Sequence, residues 1–241
     1  MESHNILEYG EFISSVRQNR DSKFGFLLGA GTSLSSGVQS ASDCIWDWKR
    51  EIYCRYNENH RINFPDARSK FAKSQIQKWL DAQGGYPALG AEEEYVFYAE
   101  KAHPIASDRV RYFNSLIHDK VPYVGYRLLC LLNKYLIVES VWTTNFDGMA
   151  ERAAHQMNIT PKVITLDNQQ DIYRTISNTE LMCISLHGDY KYSTLKNTSS
   201  ELDNQSEVFC QVMTYYFTTR HLVVLGYSGR DNSLKIGRAH V

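Results

Sequence analysis

No run of apolar residues in this chain approaches the roughly 18 that a membrane-spanning helix needs. Charge of one sign is not in excess either. Lys and Arg number 26 against 27 Asp and Glu, for a formal net charge of -1. Neither a nucleic-acid footprint nor an acidic tail is written into that balance, and no direct nucleic-acid or membrane binding is expected. The opening residues lack the basic-then-apolar layout of a secretion signal, so the expected location is cytoplasmic. The five cysteines, Cys44, Cys54, Cys130, Cys183 and Cys210, form no C-x2-C or C-x4-C pair. That argues against a structural zinc knuckle, and the expectation is no metal site. They read instead as small buried hydrophobes. Internal repeats and low-complexity tracts are missing too, and Asn197–Asn204 is a polar, Ser/Thr-rich loop.

What is present is an ordinary globular composition, 43% hydrophobic and 22% charged over 241 residues. That length suits one large domain or two small ones. Residues 5–18 read as a short amphipathic helix with Ile6, Leu7, Phe12, Ile13 and Val16 on one side. Lys23–Leu28 is an apolar run stopping at glycine, as a buried parallel strand does. Asp43 is placed to cap a helix carrying Ile45, Trp48, Ile52, Tyr53 and Tyr56 at helical spacing. The stretch from 57 to about 121 is polar, with helical patches at 69–80 and 92–102 and a Gly-Gly-Tyr-Pro break between them. It reads as a helical insertion whose aromatics (Phe71, Trp79, Tyr95, Tyr98) form its own core. An apolar helix over Tyr123–Tyr135 leads to strand candidates at Ile137–Trp142, Lys162–Leu166, Met182–Leu186 and His221–Leu225. The alternation predicts an α/β fold: a Rossmann-like, doubly wound parallel sheet with a helical insertion subdomain, binding ligands at the carboxyl ends of its strands.

Four short motifs begin where predicted strands end. The first runs Gly29-Ala30-Gly31-Thr32-Ser33-Leu34-Ser35-Ser36-Gly37. Glycines directly after a strand let backbone N–H groups approach a pyrophosphate, and Ser33 and Ser36 add hydroxyls. It is no P-loop, since no Gly-Lys-Ser/Thr follows, and Leu34 stands where a third fingerprint glycine belongs. Taken alone it is a weak signal, and a tight turn is the alternative. The second is Trp142-Thr143-Thr144-Asn145-Phe146-Asp147, whose amide and carboxylate can face one ligand. Asp147 is also placed to cap a helix. The third, Leu186-His187-Gly188-Asp189, puts a histidine at a strand end where a general base can reach a cleft. The remaining histidines singled out, His4, His60, His103, His118, His155 and His240, read as structural. The fourth is Leu225-Gly226-Tyr227-Ser228-Gly229-Arg230-Asp231, in which Gly226 allows close backbone approach, Ser228 can bond a phosphate or ribose, and Asp231 is placed to cap a helix.

In this order the motifs resemble the sirtuin family, over about Phe24 to Leu234. The likeness is closest to the bacterial antiphage-defence branch, which carries a similar tryptophan-bearing helix (Ile45-Trp46-Asp47-Trp48-Lys49-Arg50) and an Asn197-Thr198…Glu201-Leu202 segment after the histidine motif. The resemblance implies NAD as the substrate. It assigns Gly29, Ala30, Gly31, Thr32 and Ser33 to the NAD phosphates and Asn145 and Asp147 to the nicotinamide ribose. It makes His187 the catalytic base, with Asn145 beside it, and places Gly226, Tyr227 and Ser228 on the adenosine side. Departures are equally informative. Val38-Gln39-Ser40-Ala41 replaces the Pro-Asp-Phe-Arg of protein-deacylating sirtuins, Thr144 replaces their Gln, and the four-cysteine zinc module is missing.

The expected activity is therefore NAD glycohydrolase, yielding nicotinamide and ADP-ribose, in an antiphage effector that works as a homo-oligomer. A protein deacylase, an ADP-ribosyltransferase and a non-catalytic nucleotide sensor stay open as alternatives. The last six residues, Ile236–Val241, back-translate into a sequencing adapter. The expectation is a natural frame that ends near Lys235 and continues into a C-terminal sensor region, with one catalytic domain over 1–235.

Overall fold

The structure, a computed structural model, describes residues 7–19, 21–58, 66–165, 171, 172, 174, 176, 177, 179–186 and 206–228, with no side chains described over 206–210. Among the described residues the first element is helix α1 (Tyr9–Gln18), with Leu7 and Glu8 of the expected helix outside it. None of its residues is buried: Phe12 lies exposed, and Ile13 and Val16 are half-buried.

Strand β1 (Phe24–Leu28) follows, and then β2 (Val138–Thr143), β3 (Thr160–Ile164), β4 (Glu180–Ser185) and β5 (His221–Leu225). Among the described residues they form one sheet in the order β3-β4-β2-β1-β5, with every pairing parallel. β1 and residues 181–184 of β4 read as apolar runs because helices cover both faces. The one buried hydroxyl in the middle of β2, Ser140, accepts a hydrogen bond from the Trp142 indole at 3.0 Å. This is an α/β fold of the Rossmann-like class.

Two cores flank the sheet. On one face, helices α6 (Val124–Lys134) and α7 (Met149–Gln156) bury Tyr126, Leu129, Cys130, Met149 and Ala153 against Leu28, Val141 and Cys183. On the other, Leu27, Trp142, Met182 and Ile184 meet Val212, Met213 and Tyr216 of helix α8 (Ser206–Phe217). Cys44, Cys54, Cys130 and Cys183 are free and buried, as composition predicts. Burial pushes the Cys44 thiol up to about 12 and the Cys130 thiol up to about 11, so neither is a ready nucleophile.

A third core is helical. Helix α2 (Ala41–Tyr56) packs Trp48, Ile52 and Tyr53 against helices α3 (Lys70–Gln83), α4 (Glu94–Ala102) and α5 (Ala106–Ile117). The cap of α2 corrects the sequence reading. Ser40 is the N-cap, and Asp43 closes a capping box from the first turn, accepting from the Ser40 N–H at 3.2 Å while the Asp43 N–H donates to Ser40 Oγ at 3.1 Å. Tyr98 is buried in this core as expected, and Trp79 and Tyr95 pack against it. Phe71 instead sits on the outer face of α3, 68% exposed. Helix α5 lies where the sequence reading left a polar connection. Among the described residues no helix is long and apolar enough to cross a membrane.

Candidate functional site

Strand register sets the site. Leu28 of β1 pairs with Thr143 of β2 and with Leu225 of β5, and Thr143 pairs with Ser185 of β4. Four neighbouring strands thus end at one level, and Gly29, Thr144, Leu186 and Gly226 are the first residues beyond that rim. The described starts of the four motifs, scattered over the length of the chain, become adjacent in the order β4, β2, β1, β5.

After β1 the chain makes two single turns of 3-10 helix, Ala30–Thr32 and Leu34–Ser36, and Gly37 then takes a left-handed conformation with φ 78°. The turn is locked against the loop after β5. The Gly29 and Gly31 N–H groups donate to the Leu225 and Gly226 carbonyls, each at 2.9 Å. A Cβ on Gly29 would lie 2.5 Å from the Tyr227 Cα, and one on Gly226 would lie 2.5 Å from the Thr32 nitrogen. Gly226 also has φ 62°, a conformation in which a side chain is strained. The glycines therefore serve a close contact between two backbones. Four of the five amides read from sequence as phosphate donors, those of Gly29, Gly31, Thr32 and Ser33, are engaged within the protein.

Beside this turn lies a buried polar cluster. Asn145 donates from Nδ2 to the Gly29 carbonyl at 3.0 Å and to Ser33 Oγ at 3.0 Å, with Thr32 Oγ1 at 3.3 Å. Ser33 in turn donates to Asp147 Oδ2, while Asp147 Oδ1 accepts from the Met149 N–H at 2.9 Å. The N-cap of α7 is Gly148 and not Asp147, which lies one residue earlier, accepts from the first helical N–H and anchors the first motif. Ser33, Asn145 and Asp147 are each less than a tenth exposed. Thr143 Oγ1 accepts from the Asn145 N–H at 2.9 Å and sets the direction of that residue at the strand end. The sequence reading missed Tyr126 of α6, whose hydroxyl lies 2.9 Å from Ser33 Oγ and 3.1 Å from Thr32 Oγ1. Burial, and then the nearby Asp147 charge, push its phenol up to about 12, so it stays protonated.

Tyr126, Thr143, Asn145, Asp147 and Ser185 line a cavity of about 10 Å³, enough for roughly one water. A dinucleotide does not fit inside it and would have to lie above the rim. Gly29, Ala30, Gly31, Thr32, Ser33, Asn145, Asp147, Gly226, Tyr227 and Ser228 all stand along that rim or in the cluster beneath it. His187, Gly188, Asp189, Asn197, Thr198, Glu201, Leu202 and Gly229–Asp231 lie outside the described residues. Leu186, the residue before His187, is described, and its N–H donates to the Thr143 carbonyl at 2.8 Å. Among the described residues no three His, Cys, Asp or Glu side chains are grouped as a metal site requires.

An all-parallel sheet with its polar motifs gathered along one carboxyl rim defines a Rossmann-like nucleotide-binding protein. Residues 139–236 match the family model for the SIR2-like domain. Over that stretch, about two fifths of the chain, it is similar to the SIR2-like domain, and the match supports an NAD-related function. The matched stretch starts within β2 and takes in the second, third and fourth motifs. No curated protein matches the chain.

Proposed function

We propose that the protein is an NAD glycohydrolase, cleaving the nicotinamide–ribose bond to give nicotinamide and ADP-ribose. The carrying observation is the level register of Leu28, Thr143, Ser185 and Leu225, the strand ends from which the four motifs start. On this reading NAD lies across the ends of β1, β2 and β5, with its adenosine side toward Gly226, Tyr227 and Ser228 and its phosphates over Gly29–Ser33. Asn145 and Asp147 face the nicotinamide ribose. Loss of nicotinamide leaves positive charge on the ribose, which preorganised dipoles such as the Asn145 side chain stabilise. Water then adds to the anomeric carbon, and His187 accepts its proton. The buried Asn145–Ser33–Asp147 bonds favour such preorganisation, because the cluster need not reorganise as charge develops.

Three departures from the deacylating pattern favour water over acetyl-lysine as acceptor: Val38-Gln39-Ser40-Ala41, Thr144 and the absent cysteine module. By the same resemblance we place the chain in bacterial antiphage defence, acting in the cytoplasm as a homo-oligomer whose activity a further C-terminal region controls. We also place residues 1–235 in one catalytic domain with an insertion over about 57–121. The test is incubation with NAD, with and without acetylated peptide, following nicotinamide and ADP-ribose by chromatography. Peptide-independent loss of NAD is expected, and it is to fall at least 100-fold in His187→Ala, the low end for a general base. Asn145→Ala is expected to fall with it. Turnover only with acetyl-peptide would establish a deacylase instead.

A further inference from the structure

Tyr126 has no role in the reading above, yet it reaches two consecutive residues of the first motif from another helix. We propose that Tyr126 is a positioning residue of the NAD site, its hydroxyl clamping Thr32 and Ser33 at the rim of β1. This rests on the NAD reading and adds a residue to it.

The argument is a count of protons. Ser33 has one hydroxyl proton and gives it to Asp147, a carboxylate that can only accept. Thr32 donates to the Gly29 carbonyl at 2.8 Å. The Asn145 amide, itself a donor, approaches both hydroxyl oxygens, at 3.0 Å for Ser33 and 3.3 Å for Thr32. Both oxygens are thereby acceptors toward Tyr126, at 2.9 and 3.1 Å. Tyr126 has a single proton for these two acceptors. One of them always keeps a lone pair that the clamp does not fill. Thr32 is the part-buried one of the two, and the nicotinamide ribose held against Asn145 can donate a hydroxyl to its oxygen, the phenol then turning to the buried Ser33. The turn can so exchange partners with no movement of heavy atoms, which suits a site that must be ordered before the ligand arrives.

The phenol ring is 5% exposed and packs with Leu129 and Met149, so Tyr126→Phe keeps the packing and removes only the oxygen. NAD affinity is measured by titration calorimetry, and KM and kcat by nicotinamide release. Tyr126→Phe is expected to raise Kd and KM about three- to tenfold, the effect of one buried hydrogen bond, with kcat within about twofold. In a Thr32→Val/Ser33→Ala background, which lacks both acceptors, adding Tyr126→Phe is expected to change nothing further. Unchanged affinity in Tyr126→Phe, or an equal loss in that background, overturns the clamp. Should Tyr126→Phe not fold, Thr32→Val alone decides, since it removes one acceptor and an unaltered Kd would refute the proposal. Wild-type protein that binds no NAD overturns the NAD reading, and the clamp with it, whereas a failed variant beside a binding wild type overturns the clamp alone.

Discussion

Gly226 shows how much a single residue fixes at the rim. Its carbonyl accepts from Gly31, its φ is 62°, and a Cβ there would meet the Thr32 nitrogen at 2.5 Å. Left-handed backbone alone costs an L-residue about 1–2 kcal/mol. The clash adds to this because the obstacle is backbone, which cannot swing aside. Gly226→Ala is therefore expected to lower stability by at least about 1 kcal/mol in urea titration and to weaken NAD binding, since the turn bearing Thr32 and Ser33 must shift. A variant as stable as wild type would show that the two loops are not locked together. That these glycines mattered was legible in the sequence, because both follow apolar runs. Their physical reason was not, because a contact between residues 31 and 226 is invisible along the chain. Tyr126 was hidden in the same way, lying 93 positions from Ser33 in a helix that reads only as apolar.

At the scale of elements, the helical core is organised by a buried charge. Lys49 of α2 is 0% exposed, donates to Gln77 of α3 at 2.8 Å and pairs with Glu94 of α4. The rings of Trp46 and Tyr98 lie 4.7 and 4.9 Å from its ammonium. The Gly90 N–H donates to the second Glu94 oxygen at 2.8 Å, which completes the carboxylate's partners. Removing one member leaves a charge buried with no counterion. Lys49→Met is thus expected to destabilise the protein by roughly 3–5 kcal/mol in urea titration, and Lys49→Met/Glu94→Gln by less. Equal losses would mean that the pair itself contributes nothing. β1 was the most legible strand, since a run buried on both faces and ending in glycine leaves few alternatives. Helix α5 was in reach and was overlooked: Val110, Phe113, Leu116 and Ile117 follow helical spacing, but the charged residues among them make the stretch look like a polar connection. Asp43 was misassigned as the cap because Ser and Asp suit both positions of a capping box, and only the backbone angles of Ser40 decide between them.

For the whole molecule, the helical core and the sheet are joined through α5. Phe113 belongs to the helical core and Ile117 to the core beside the sheet, while Leu116 and Phe146 touch both. The Phe113 and Phe146 rings lie 4.2 Å apart between centroids. Such shared packing predicts one cooperative transition. The four tryptophans allow a direct check, because Trp46, Trp48 and Trp79 report on the helical core and Trp142 on the sheet. In Trp142→Phe, fluorescence and far-ultraviolet circular dichroism are expected to give the same urea midpoint. Separate midpoints would mean that the helical core unfolds as a unit of its own.

The strand order also has a consequence for how the chain is made. β1 leaves the ribosome early, yet its two neighbours in the sheet are β2 and β5, the latter roughly 200 residues downstream. At about 5–20 residues per second, β1 waits on the order of 10–40 s for its second edge to be covered. Pairings of such long sequence separation form slowly. The Gly29 and Gly31 amides find their acceptors only when residues 225 and 226 arrive, so the carboxyl rim at β1 and β5 is the last part of the sheet to be assembled. A nascent chain interrupted before β5 would hold much of its apolar core and none of its finished site.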